Sequence, residues 1–319
     1  MPPPVSVASK VAVQAESVEE MKAAHPLDAE LFGAMGAATA HLCEDLSNSF
    51  IGKRFDFMDL GEFQALCPSG MGPIYWKEML FRVYWAAALN MLRHQRWQAA
   101  CISAFKTPAN VLAFAAGLRG LLEASQDAHY SLRQIPRLLA ENRQMIEAAI
   151  NGHSRDRFGI CKELEDRLIH FIYGRKVGKG ETAIPESHYA LEPKDYRNAI
   201  GLSEDKRDNF RQLYDHLCGI CHPTAFSLAF LWEREGGWVQ IKAGEDELYI
   251  RALCHKYEET ISLAMSLSVT MSALSLKALN WFSLPQVNCS AIERWNFDAV
   301  PAWKKAQTAA FHFSPVAVS

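Results

Sequence analysis

The stretch FRQLYDHLCGICHPTAF, Phe210 to Phe226, gathers an arginine, a tyrosine, an aspartate, two histidines and a Cys-x-x-Cys pair. Four chemistries use such letters: haem attachment, a redox dithiol, a metal site and a helical nuclease. Cys218-Gly-Ile-Cys221-His222 has the spelling of c-type haem attachment. That attachment needs an exported chain, and the N-terminal MPPPVSVASKVAVQAESVEEMKAAHP carries no basic segment followed by an apolar one. A redox dithiol needs its cysteines at a helix N-terminus, where the dipole lowers the first thiol's pKa, and here they fall near the other end. Zinc needs four ligands. Cys218, Cys221 and His222 share a face, but no second ligand pair stands at finger spacing, and at 100° per residue His216 lies about 120° from His222. The cysteines are therefore expected to be small buried residues that pack the helix. No cofactor is expected, and a metal or redox role for Cys218 and Cys221 is the lesser alternative.

A second set lies upstream, in VLAFAAGLRGLLEASQDAHY. Arg119 sits in a helix that is apolar on most sides, and a buried guanidinium must be paired. Glu123 and Asp127 follow at i+4 and i+8, which suggests a ladder of three. It is either a structural ion pair or a polar patch facing another helix, and that helix is the one holding Phe210 to Phe226. There Arg211, Tyr214 or Asp215, Cys218 and His222 make one stripe, because residues eleven apart differ by only about 20°. A histidine of ordinary pKa near ~6.5 exchanges protons at neutral pH. His222 facing Arg119 and Glu123 would be an acid-base constellation.

A third motif, GRKVGKGET, imitates a phosphate loop, but Gly174 and Gly178 enclose three residues where four are needed, and Gly180 follows Lys179. It is read as a solvated basic loop carrying Arg175, Lys176 and Lys179, with phosphate contact as the lesser alternative.

The elements that must position these residues are helical. Apolar residues recur at helical spacing from Leu27 to Phe50 and across YWKEMLFRVYWAAALNMLRHQRWQAACI. Thr107 as N-cap and Pro108 at the first position open a helix to about Leu132, and Pro136 opens another that ends near Gly152. ICKELEDRLIHFIYG gives a further helix. The helix of the opening stretch starts at Ser203 and ends at His222-Pro223. A hairpin-like excursion is expected near 229–243 around Gly236-Gly237, then one long helix from Asp246 to about Phe282. The chain divides into an N-terminal arm (1–24, disordered), a helical extension (25–74), a bundle (75–282) and a tail (283–319). The class is all-α with a small β addition.

Bulk properties narrow the partners. Thirty-three basic and 36 acidic residues give a net charge of −3, so any nucleic-acid contact must be local. The run TISLAMSLSVTMSALSL is interrupted by serines and threonines and is expected to be a buried helix, with no membrane contact. Eight scattered cysteines suit free thiols in a cytoplasmic protein.

GLRGLLEASQDAHYSL and LYDHLCGICHPTAF, with LWEREGGWVQIKAGEDELYIRAL after them, resemble segments of a bacterial all-helical family of unknown function related to HEPN domains. The resemblance covers about residues 75–282. It places Tyr214, His222, Pro223 and Thr224 at the family's Tyr, His, Pro and Ser, with Cys218 where the family has Ser. It implies a HEPN-like helical bundle that often dimerises, and for many members metal-independent RNA cleavage by an Arg-x4-6-His motif. Arg211 and His216 satisfy the x4 spacing but lie about 140° apart on a regular helix. Seven positions before His222 stands Asp215, so the arginine would have to be Arg211 or Arg119. Two functions follow as expectations: an RNA-cleaving or RNA-binding protein of the toxin or antiphage-defence kind, or a non-catalytic module that dimerises or binds a partner through Trp and Phe.

Overall fold

The structure, a computed structural model, describes residues 12–13, 18–106, 108–153, 159–178, 180–181, 185–229, 231–242 and 244–311. The first half comprises β1 (Ala12–Val13), α1 (Val18–Ala24), α2 (Pro26–Phe50), α3 (Leu60–Gln64), α4 (Pro68–Phe105), α5 (Val111–Leu132), α6 (Ile135–Glu141), α7 (Arg143–Ile150) and α8 (Lys162–Tyr173). The second comprises α9 (Pro193–Ala199), α10 (Glu204–Cys221), β2 (Trp232–Glu235), β3 (Trp238–Ile241), α11 (Asp246–Lys256), α12 (Glu258–Leu279), β4 (Trp295–Asn296) and α13 (Pro301–Phe311). The fold is all-α with a short antiparallel hairpin, β2 and β3, as the sequence suggests.

Three helices make the centre. α12 packs on both α4 and α5, and these two pack on each other more extensively than any other pair. Small residues permit the approach: a Cβ added to Gly120 would stand 2.7 Å from the Trp97 ring, and one added to Gly117 would stand 3.1 Å from Cys101 Sγ. α12 is long and apolar enough to cross a membrane by length and composition, but 83% of its most apolar window is buried in the bundle. Its serines are used there. Asn90 Nδ2 on α4 donates to the Ser268 carbonyl and to Ser272 Oγ, each at 2.9 Å. One apolar core gathers Trp76, Leu80, Tyr84 and Leu274 with Phe297 and Trp303 from the C-terminal segment. A second joins Phe114 and Leu118 to Phe210, Leu213 and Leu217 of α10 and Ile250 of α11. Both α2 and the segment after Phe282 thus share their cores with the bundle.

Several boundaries differ from the sequence reading. Residues 18–24 of the expected disordered arm form α1, and the rest of that arm apart from 12–13 lies outside the described residues. α5 is capped by Asn110, whose Oδ1 accepts the Ala113 N–H at 2.9 Å; Thr107 lies outside the described residues. The helix expected from Pro136 to Gly152 is interrupted at Asn142, whose side chain bonds back to the Leu138 carbonyl at 2.8 Å. The long final helix breaks at Tyr257, at φ −114° and ψ 21°, where His216 holds the tyrosine hydroxyl. α9 falls at the end of the stretch read as a loop, although Pro193 at its first turn, Asp195 and Arg197 mark a short helix.

His94 of α4 is 1% exposed, and neither ring nitrogen has a hydrogen-bond partner. The adjacent Gln98 is committed to Asp28, the Gly36 carbonyl and Thr39. Burial pulls the His94 imidazole down to about 4, against a weaker opposing influence of Gln98. Below the ordinary histidine pKa the unfolded chain takes up a proton that the folded chain refuses until about pH 4. Stability is therefore lost as pH falls from about 6.5 towards 4, by at most about 1.4 kcal/mol per pH unit for this group. Urea midpoints at pH 7 and pH 5 should show a smaller loss for His94→Leu than for the wild type. An equal loss in both would contradict the assignment.

Candidate functional site

α5 and α10 cross with one polar cluster between them. Arg119 Nε donates to Glu123 Oε1 at 3.2 Å, Arg119 Nη2 donates to Tyr214 Oη at 3.2 Å, and Tyr214 Oη donates to the same Glu123 oxygen at 3.0 Å. The three side chains close a triangle. The i, i+4 spacing aligns Arg119 with Glu123 on α5, while Phe210, Leu213 and Leu217 seat α10 in the core and leave Tyr214 turned to α5. Burial pushes the Tyr214 hydroxyl up to about 12, and of its two hydrogen bonds the one to Arg119 opposes that rise and the one to Glu123 adds to it. It stays a donor at neutral pH. Burial alone would lower the Arg119 guanidinium, but the Tyr214 bond and the Glu123 charge hold it above its ordinary value. Arg197 of α9 stands on the same tyrosine, 5.9 Å from the ring centre, and Arg119 lies 5.3 Å from it.

Asp127 does not extend the ladder. At i+8 it has turned about 80° from Arg119, and it accepts Arg93 Nη1 from α4 at 2.8 Å.

The histidines and Arg211 do not converge on the triangle. Arg211 is exposed and pairs with Asp208 at 3.2 Å, one turn away. It is eleven residues from His222, about 16 Å along the axis. His222 caps α10 in extended conformation at φ −85° and ψ 151°, and its imidazole is exposed and bonded to neither arginine. Asp215 is exposed as well. His216 is held on both sides: Nδ1 is 3.1 Å from Tyr257 Oη, Nε2 is 2.8 Å from Tyr249 Oη, and the Phe226 ring meets it edge-on at 5.4 Å. Burial and then the Lys256 charge lower its pKa. The two tyrosines stand 33 and 41 residues away in sequence, and no local spacing announces them.

Cys218 and Cys221 are free thiols, half-buried where full burial was expected. Burial pushes the Cys221 thiol up, against the nearby Arg119 charge. Among the described residues no group of three or more His, Cys, Asp or Glu side chains is arranged to hold a metal ion. The basic loop is largely self-neutralised: Arg175 grips Glu181 with contacts of 2.8 and 3.2 Å, and Lys176 lies 4.0 Å from Glu192. Lys179 is outside the described residues.

No family model, curated protein or solved structure matches the chain. Fold and geometry define an all-α bundle whose central polar cluster is an Arg-Glu-Tyr triangle spanning two helices.

Removing the hydroxyl in Tyr214→Phe leaves Arg119 and Glu123 each one bond short, and should cost about 1 kcal/mol of unfolding free energy. A double-mutant cycle of Tyr214→Phe with Glu123→Gln should return a coupling of at least about 0.5 kcal/mol. Strict additivity would show that the triangle has no energetic reality.

Proposed function

We propose that this chain is a non-catalytic helical binding module that pairs with a second copy of itself through its β-hairpin. The observation that supports this reading most is the hairpin's exposure. β2 and β3 pair Trp232 with Ile241, Glu233 with Gln240, Arg234 with Val239 and Glu235 with Trp238, and every one of these residues is exposed. Alternation puts Trp232, Arg234, Val239 and Ile241 on one face, with Trp232 44% and Ile241 86% exposed. Isolated two-stranded hairpins are marginal in water and need a covering surface.

The same chain offers one. Beside the base of the hairpin is an open notch of about 290 Å³ lined by Phe226, Ala229, Glu245, Leu248 and Tyr249, with Leu248 68% exposed. Arm and notch are both uncovered in the monomer. Two copies related by a two-fold axis can place each arm in the other's notch, so that both apolar surfaces are covered by one self-complementary contact. The charged edge residues Glu233, Arg234 and Glu235 disfavour indefinite strand addition and suit a closed pair.

The RNA cleavage implied by the HEPN resemblance has weaker support, because His216 engages two tyrosine hydroxyls and His222 bonds to no arginine. The cytoplasmic location belongs to this proposal too, and fits eight unpaired cysteines.

Light scattering over a range of micromolar concentrations should give a dimer for the wild type and a monomer of unchanged helicity for Trp232→Ser with Ile241→Ser. A wild type that stays monomeric throughout would refute the pairing. Incubation with total RNA, with and without chelator, should leave the RNA intact; chelator-insensitive cleavage that vanishes in His222→Ala would restore the nuclease reading.

A further inference from the structure

At 100° per residue, Arg119, Glu123, Gln126, Tyr130 and Arg133 fall within about 80° of the α5 circumference. They form one polar stripe, covered by α8, α9 and α10, with Arg167 of α8 on Tyr130. Its upper end is closed by the Arg119, Glu123 and Tyr214 triangle, where each charge has its partner. Its lower end is not. Gln126 is 0% exposed, and neither its Nε2 nor its Oε1 has a hydrogen-bond partner. Arg133 donates through Nη1 to the Ala199 carbonyl of α9 at 2.5 Å, while its Nε is buried without a partner. Arg197, two residues before Ala199, rests on the Tyr214 ring and keeps Nη1 buried without a partner. Among the described residues neither Arg133 nor Arg197 meets a carboxylate, whereas the neighbouring Arg93, Arg119 and Arg167 face Asp127, Glu123 and Glu163.

Two half-buried guanidiniums without counter-charge, and a fully buried amide without partners, are costly to keep. One ligand class answers all of them. An anion offsets the charge, and oxygens directed to several sides accept from Arg133 Nε, Arg197 Nη1 and Gln126 Nε2. Gln126 Oε1 requires a donor in return. A carboxylate or a phosphodiester has none, but a phosphate monoester, with a second pKa of about 6, carries a P–OH on part of its population at neutral pH.

We propose that the seam between α5 and α9, at Gln126, Arg133 and Arg197, is a binding site for a phosphate monoester group. The site is independent of the hairpin contact, which lies on other elements. Burial, and next the charge of Arg133, holds His129 beside it down to about 3, so that imidazole is neutral and adds no positive charge of its own.

The test is a thermal-shift and calorimetric titration of the full chain with sodium phosphate, a nucleoside 5′-monophosphate and a short RNA without terminal phosphates, against chloride at equal ionic strength. Phosphate and the monophosphate should raise Tm by about 2 °C at ten times Kd, and the diester-only RNA should not. Arg197→Gln should abolish the shift, and Arg211→Gln, on the exposed face of α10, should retain it. Gln126→Leu supplies a second readout if Arg197→Gln folds poorly: relieved of an unpartnered amide, it should melt higher without ligand and respond less to phosphate. No phosphate shift, a shift that survives both Arg197→Gln and Gln126→Leu, or equal binding of the diester would each overturn the proposal.

Discussion

The architecture depends on a polar stripe carried by a helix that is otherwise buried. α5 packs on α4 and α12 with its apolar sides, and the guanidinium of Arg119 turns away from them towards Tyr214 of α10. The Arg119 side chain is partly exposed there, so its pairing sets geometry more than it offsets a large desolvation cost. Glu123 one turn along, and Tyr214 from the facing helix, supply the pairing. α10 is thereby fixed in rotation as well as in depth, because Tyr214 must point at Arg119 while Phe210, Leu213 and Leu217 enter the core.

That rotation decides what the rest of α10 can do. His216 is carried round to α11 and α12, where two tyrosine hydroxyls occupy its ring nitrogens and Tyr257 marks the break between those helices. His222 is left at the C-terminus of α10, in water. Phe226, just beyond, folds back on His216 and on Gly219, where an added Cβ would stand 2.9 Å from its ring. The chain leaves this corner as the exposed hairpin. One set of contacts thus places both the closed triangle and the uncovered arm, and leaves His222 bonded to neither Arg119 nor Arg211.

What was legible in the sequence was local. The start of α10 after Ser203, its end at Pro223 and the glycine turn of the hairpin follow from neighbouring residues, although the Ser203 side chain makes no capping bond. The Arg119 and Glu123 pair follows from i, i+4 spacing, and the face of Tyr214 from helical periodicity. Illegible were the pairings set by tertiary packing: Arg93 with Asp127, His216 with Tyr249 and Tyr257, and Arg133 with the end of α9. Periodicity fixes which residues share a face but not which helix meets it, so an acid-base pair of His222 with Arg119 could be imagined on the stripe and is not formed in the fold.

In the proposed pairing a second copy of the chain covers the β2 and β3 arm. Hydrogen exchange of the amides of residues 231–242 tests it most directly, because an uncovered hairpin of this length opens readily. Protection that rises with protein concentration and collapses in the Trp232→Ser, Ile241→Ser variant is the predicted result. Rapid exchange at every concentration, in a protein whose α4, α5 and α12 amides remain protected, would contradict it.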